Sequence, residues 1–265
     1  IVLMFGLWHT AGAAALPPQA AIASAHPLAT RAGMEVLAAG GNAFDAAVAV
    51  SAALAVVEPT SSGLGGGGFW LLHRADGKEV MIDGRERAPL AARRDMYLDK
   101  HGNVVPGLSL DGPLAAAIPG EPAALVHLAQ HYGHLPLAQS LAPAIRLARD
   151  GFAVDARYQH LAKFRLKALR ASPAAAAVFL RGNDVPPVGT IITQPDLAAT
   201  LSALADRGAD GFYKGVLAKH LVAGVRAAGG IWSDQDLASY RVIERDPVVG
   251  RYRGSLRLRN RTPGP

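Results

Sequence analysis

Gly65, Gly66, Gly67 and Gly68 stand in an unbroken row and lead straight into the apolar run Phe69-Trp70-Leu71-Leu72. Glycine loses more backbone freedom on folding than any other residue, so four together inside a folded region need positive φ or very close backbone approach. A fold for this chain must therefore bring backbone, or a ligand, hard against that loop. A dinucleotide cradle requires strand, then G-x-G-x-x-G, then helix, and a P-loop requires Gly-Lys-Ser/Thr. Here a helix precedes the glycines and a strand follows them, with no such lysine. The run is a structural glycine loop that lets strands and a ligand crowd together.

The flanking pattern is legible. Pro27 to Ala39 reads as a helix stopped by Gly40, with Arg31 and Glu35 one turn apart. Asn42 and Asp45 form a capping-box variant at the start of a second helix, AAVAVSAALAVV, apolar or small on every face and so expected to be buried all round. Pro59 closes it. Phe69 to Leu72 reads as an interior strand. Asp76-Gly77 reads as a hairpin turn, and Val80 and Ile82 alternate with Glu79, Met81 and Asp83 in a half-buried antiparallel partner. Helices are expected at 121–131, 137–150, 155–170, 196–207 and 213–228, with a short capped one after Ser233. Residues 171–195 read as mostly loop, and 241–249 and 252–259 as strands. The Gly- and Pro-rich stretch 90–120 is the expected cleft wall.

Half of the 265 residues are hydrophobic and 18% are charged, which excludes a disordered chain and allows one large or two modest domains. The formal net charge of +6 raises the question of nucleic acid. The basic residues are scattered, however, except for Arg251, Arg253, Arg257, Arg259 and Arg261 on alternate positions near the end. Period two predicts a strand with one solvated cationic face, and no aromatic stacking platform accompanies it. The absence of cysteine excludes disulfides and Cys-ligated zinc. Residues 1–16 are almost wholly apolar and end in small residues, as at the core and cleavage region of a secretory signal. That predicts a periplasmic or secreted protein, and no later stretch reads as an integral membrane span.

Chemistry concentrates at Asp83-Gly84-Arg85-Glu86-Arg87, fixed charge at the end of a buried hairpin. Two readings stand together: an internal salt-bridge network of these four charges, or a carboxylate clamp in which an arginine makes two parallel hydrogen bonds. His127 and His131 lie one helical turn apart, with His134 beyond, but no carboxylate joins them as in HExxH, and a helix surface is the expected setting. Thr60, Ser61 and Ser62 carry hydroxyls without a G-x-S-x-G elbow or an ordered His/Asp partner. No metal and no cofactor are implied. From the residues alone the chain shows a binding wall without a reaction centre.

Several spaced segments together resemble the large-subunit portion of the γ-glutamyltranspeptidases (γ-glutamyltransferases), N-terminal-nucleophile hydrolases. They include Gly40-Gly-Asn-Ala-Phe-Asp-Ala-Ala47, Leu64-Gly-Gly-Gly-Gly-Phe69, Ile82-Asp-Gly-Arg-Glu-Arg-Ala-Pro89, Arg94-Asp-Met-Tyr97, Leu147-Ala-Arg-Asp-Gly-Phe152 and Phe212-Tyr-Lys-Gly215. The resemblance runs over roughly residues 22–254. It implies an α/β (α+β) fold, part of a four-layer αββα sandwich with a helix-rich middle region. Residues 1–21 would be a signal-like or disordered segment, and 22–265 an incomplete large-subunit domain.

The resemblance further implies a partner small subunit whose N-terminal Thr is the nucleophile, with its own α-amine as base. Glutathione or another γ-glutamyl compound would be cleaved through a γ-glutamyl-enzyme, and the group passed to water or to an amino acid or peptide. Arg85 would hold the α-carboxylate of the γ-glutamyl group, with Asp83, Glu86 and Arg87 as orienting neighbours. No catalytic residue is expected in this chain, because it stops at Pro265, before the family's processing point; by itself it is expected to be inactive. Cephalosporin or glutaryl acylases of the same superfamily, and a non-catalytic carboxylate-binding protein, are the competing readings.

Overall fold

A computed structural model describes residues 20–253 and 255–259. The expected signal-like segment at 1–16 and Arg261 lie outside the described residues. Two capped helices begin the fold, α1 (Pro27–Ala38) and α2 (Ala43–Val57). Pro27 suits the first turn of α1, the His26 ring accepts from the Leu28 N–H at 3.1 Å, and Gly40 takes φ of 91° just past the end. At α2 the capping box is present: the Asn42 side chain accepts from the Phe44 and Asp45 N–H groups, and the Asp45 carboxylate accepts from the Asn42 N–H at 2.9 Å. Asp45 is buried, and also accepts from the backbone of His134 (2.9 Å) and Leu135 (3.3 Å). One local cap thus fastens two distant segments. Glu35 pairs with Arg146 rather than with Arg31 one turn away.

Strands β1 (Gly68–His73) and β2 (Glu79–Gly84) form the expected hairpin, with Gly77 at φ 79° in the turn. Gly68 pairs with Gly84, Trp70 with Ile82 and Leu72 with Val80. Two expectations change places. β1 lies at the edge of a three-stranded antiparallel sheet, and Leu72 is its buried residue while Leu71 is exposed. β2 is the central strand, so Met81 and Asp83 on its second face are buried as fully as Val80 and Ile82. Polar residues at alternating positions had suggested water on that face; protein covers it instead.

The helical half follows as α3 (Glu121–His131), α4 (Leu137–Asp150), α5 (Ala156–Phe164), α6 (Leu166–Ala171), α7 (Pro173–Phe179), α8 (Pro195–Arg207), α9 (Asp210–Tyr213), α10 (Gly215–Ala227) and α11 (Asp234–Ala238). Between them β3 (Phe152–Ala153) pairs with β4 (Ile191–Ile192). α3 and α4 fall where their periodicity puts them, and Ser233 with Asp236 makes the expected capping box on α11. The stretch 155–170 is two helices that meet at Arg165, and Ser172 caps a helix inside the expected loop 171–195. The single helix expected at 213–228 begins as a short α9 and restarts at Gly215, whose φ of 72° interrupts it.

α2 is the hub, packed against α1, α3 and α4. Its residues Val48, Ala49, Ala52, Ala53 and Val56 are buried, whereas Ala47, Val50, Ser51 and Leu54 lie along a half-buried stripe. The expectation of burial on every face is therefore corrected: small residues on all sides permit complete burial, but neighbours cover only part of the circumference.

β5 (Ile243–Arg245) completes the sheet beside β2. β6 (Val248–Tyr252) and β7 (Ser255–Arg259) form a separate hairpin that turns at Arg253, which has φ of 49°. The one continuous strand expected at 252–259 is broken there. Arg251 stands opposite Leu256 and Arg257 opposite Gly250, so the alternating arginines divide between two strands.

Candidate functional site

The glycine loop lies where α2, the β1–β2 hairpin and the N-terminus of α3 converge. None of Gly65, Gly66, Gly67 and Gly68 is among the positive-φ glycines, so turning the chain is not their use. Gly67 provides close approach: a Cβ there would sit 2.3 Å from the Gly84 carbonyl oxygen and 3.0 Å from Arg85 Cα. The Gly66 carbonyl accepts from the N–H groups of Gly120 (2.8 Å) and Glu121 (3.0 Å), two otherwise orphan donors at the start of α3. Gly65 instead faces open space, with nothing within 4 Å of its added Cβ.

That space is a cavity of about 560 Å³ walled by residues 59–63 and 65–70, Arg85, Glu86 and Glu121, with Ser51 and Leu54 of α2 behind. The expected wall at 90–120 does not border it. Residues 90–117 run through turns, an isolated bridge and a short 3₁₀ helix at the surface, and the Arg87–Ile118 bridge closes the base of that loop.

The four candidate charges separate into different environments. Asp83 is buried at 7% side-chain exposure, and its carboxylate accepts from Arg245 Nε at 2.8 Å and from the Arg85 N–H at 3.1 Å. Arg87 turns the other way, with its guanidinium 5.2 Å from the Tyr240 ring centre and donating to the Arg241 carbonyl at 2.9 Å. Arg85 and Glu86 border the cavity. Arg85 Nε lies 3.2 Å from Glu86 Oε2, its guanidinium is 5.9 Å from the Phe69 ring centre, and its side chain is 52% exposed. The expected four-member network is therefore two separate pairs, Asp83 with Arg245 and Arg85 with Glu86.

The backbone beneath Arg85 is held from behind. The Tyr240 hydroxyl donates to the Arg85 carbonyl at 2.7 Å, and Tyr213 stacks on Tyr240 with ring centres 5.4 Å apart. Tyr213 donates in turn to the Pro119 carbonyl at 2.8 Å and accepts from the Ala123 N–H at 3.3 Å. Burial is the main cause that pushes the Tyr240 phenol up to about 12 and raises that of Tyr213 further. Both hydroxyls therefore stay protonated donors at neutral pH. Gly120 makes this closeness possible, since a Cβ there would lie 2.1 Å from the Gly84 oxygen and 2.2 Å from the Tyr240 hydroxyl.

Sequence reasoning missed Glu121. In Pro119-Gly120-Glu121-Pro122 it read only as the start of a helix. Its carboxyl borders the cavity, with one oxygen 3.6 Å from the position of a Cβ on Gly68. Burial first, and the Glu86 charge second, raise it to about 7. The Pro-Gly pair before the acid carried a signal for a helix start pressed against other backbone, but nothing local tells that the acid faces a cavity.

The histidines occupy another surface. His127 Nε2 lies 2.8 Å from Glu244 Oε1, the Tyr132 hydroxyl donates to the same oxygen at 2.6 Å, and the His131 ring stacks on His127 at 4.2 Å. His134 lies beyond the end of α3, past Gly133. No described helix is long and apolar enough to cross a membrane.

A family model for gamma-glutamyltranspeptidase matches residues 29–263. The glutathione hydrolase proenzyme of Pseudomonas sp. strain A14 is 42% identical over 234 residues, 88% of this chain and 41% of the relative. The chain thus spans about two-fifths of the length of the curated relatives it matches. The Acylase ACY 1 proenzyme of Pseudomonas sp. strain SE83 is 38% identical, over 86% of this chain and 42% of that protein. Among solved structures, Helicobacter pylori gamma-glutamyltranspeptidase superposes with a TM-score of 0.88 at 43% identity, over 90% of this chain and 69% of that one. The helix-rich α/β fold is that of these N-terminal-nucleophile hydrolases, and the chain belongs to the γ-glutamyltranspeptidase family.

Proposed function

We propose that this chain is the substrate-anchoring part of a γ-glutamyltransferase/glutathione hydrolase, and that Arg85 binds the α-carboxylate of the γ-glutamyl group. One observation carries the reading: of the charges at the end of β2, Arg85 alone directs a half-exposed guanidinium to the cavity, while Asp83 and Arg87 are engaged elsewhere. A planar guanidinium can grip a carboxylate through two parallel hydrogen bonds and so fix the direction of the rest of the ligand. Asp83, through the Arg85 N–H, and Tyr240, through the Arg85 carbonyl, set the backbone from which the anchor extends. Glu86 orients the guanidinium, and Arg87 braces the strand end against Tyr240. Gly65, Gly66, Gly67 and Gly68 let the cavity wall lie close to that strand end.

With the carboxylate anchored, the γ-carbonyl is presented to an N-terminal Thr on a partner small subunit. The Thr oxygen bonds to the carbonyl carbon and the amide C–N bond breaks. The leaving amine takes the proton that the Thr α-amine removed from the hydroxyl. Water, or the amine of an amino acid or peptide, then displaces the Thr oxygen from the γ-glutamyl-enzyme. Export to the periplasm or beyond the cell fits the apolar start of the sequence, and the full protein is read as a processed heterodimer.

The test is Arg85→Lys in the processed, full-length enzyme. Losing one bidentate charged contact is expected to raise KM for a γ-glutamyl anilide roughly ten- to hundred-fold with self-cleavage intact. An unchanged KM overturns the assignment. Equal rates on glutaryl and γ-glutamyl anilides would favour the acylase reading, since the glutaryl group keeps the carboxylate but lacks the α-amine.

A further inference from the structure

The cavity holds a third charge-bearing group that the proposed reaction has not used. Glu121 is the first residue of α3, and its carboxyl shares a wall with Arg85 and Glu86. Among the described residues its side chain makes no hydrogen bond or ion pair, unlike Asp45, Glu58, Asp83 and Asp236, the buried acids of the fold. Two carboxyls press on the glycine loop from the same side: Glu86 lies 3.5 Å from the position of a Cβ on Gly66, and Glu121 lies 3.6 Å from that on Gly68.

We propose that Glu121 is a charge-setting positioning residue of the γ-glutamyl site: uncharged, it leaves Glu86 as the single anion beside Arg85 and the cavity receptive to a ligand carboxylate; ionised, it adds a second anion to that wall and weakens carboxylate binding. This rests on Arg85 being the carboxylate anchor. The groups that face Glu121 bear it out. Glu86, from the segment after β2, is the anion that disfavours its ionisation, and Tyr213 on α9 stays a neutral phenol beside it. Arg85 is the cation on the same wall, already shared with Glu86. The helix terminus favours the carboxylate form, but burial and Glu86 outweigh it and hold the carboxyl up to about 7.

The sign follows from linkage. A bound carboxylate is one more anion near Glu121, so it disfavours Glu121 ionisation further, and the protonated site must therefore bind that ligand more tightly. If the ligand shifts the ionisation by about one pH unit, affinity falls about ten-fold as pH rises through the window just above 7.

The measurement is KM and kcat for a γ-glutamyl anilide from pH 6 to 8.5 in the processed, full-length enzyme, for wild type, Glu121→Gln and Arg85→Lys. A second arm measures inhibition of the wild type by glutarate, which has no amine to titrate in this range. Wild-type KM and the glutarate inhibition constant are expected to rise together about ten-fold. In Glu121→Gln, KM is expected to stay flat near its low-pH value. A flat wild-type glutarate profile, or a Glu121→Gln profile that keeps the wild-type rise, overturns the proposal. If Glu121→Gln fails to fold or process, the wild-type glutarate arm decides alone. Arg85→Lys separates the two readings: an unchanged KM there sinks the anchor itself, whereas a raised KM with flat pH profiles sinks only the role of Glu121.

Discussion

The strand end at residues 83–87 divides two regions built from similar residues and finished in opposite ways. On one side Arg87, Tyr240 and Tyr213 close on one another: ring on ring, guanidinium on ring, each hydroxyl donating to a backbone carbonyl. On the other side Arg85, Glu86 and Glu121 surround open space, and the Glu121 carboxyl has no hydrogen-bond partner among the described residues. Buried polar groups normally complete their hydrogen bonds within the fold. A closed polar cluster is therefore structural, and an incomplete one in a cavity leaves bonding capacity for a ligand. Arg85 and Arg87 are two positions apart, so a continued strand would put them on one face. The chain leaves β2 at Gly84, before either arginine, and the alternation ends there.

Substitutions in the glycine loop test that division most severely. Gly67→Ala sets a methyl against the backbone of Gly84, Arg85 and Glu86, which cannot rotate aside. A loss of roughly 3 kcal/mol in urea or thermal unfolding is expected. Gly65→Ala points into open space at a permitted φ, and its stability is expected to match wild type within about 0.5 kcal/mol. Equal losses in the two variants would remove the distinction between a packed and an open side of the loop.

The next effect concerns the incomplete cluster. The Glu121 carboxyl is held above its unfolded value, from 4.5 up to about 7. The stability linked to its protonation is complete below about pH 4.5 and is lost as pH rises through about 7. Glu121→Gln escapes that loss. It is expected to exceed wild type by an amount near zero at pH 4 that grows to the order of 3 kcal/mol at pH 8, read from paired melting curves. A difference independent of pH would mean that burial of the acid carries no cost.

The smallest effect lies on the closed side. Tyr240→Phe removes the hydrogen bond to the Arg85 carbonyl but keeps the stacked ring. A loss of about 1 kcal/mol in stability is expected. KM should rise by less than in Arg85→Lys, because the anchor loses support and not its charge. A larger rise would place Tyr240 in direct contact with the ligand.

Much of the fold could be read locally. The capping boxes at Asn42 and Ser233 follow from side chains reaching backbone two or three residues away, and the bounds of α3 and α4 from apolar periodicity with Gly and Pro at their ends. The Asp76-Gly77 turn is legible for the same reason. Which strand lies at the edge, and which stripe of α2 stays half-covered, depend on contacts between distant segments, and there the expectations were reversed. The cavity wall was misplaced to 90–120 because loop-like composition says where a chain bends and not which way the loop folds.

The sequence by itself determined the need for close approach at the glycines, the charge cluster at the end of β2 and, through many spaced matches, the family. Those are properties of local chemistry and order along the chain. Only the tertiary structure decided that Gly67 meets Gly84 while Gly65 stays open, that Asp83 turns to Arg245, and that Arg85 faces the cavity while Arg87 faces Tyr240. It alone brought Glu121 beside Glu86, across 35 positions of sequence. Burial and electrostatic proximity arise when remote segments share one volume, and no local pattern of residues encodes which segments those will be.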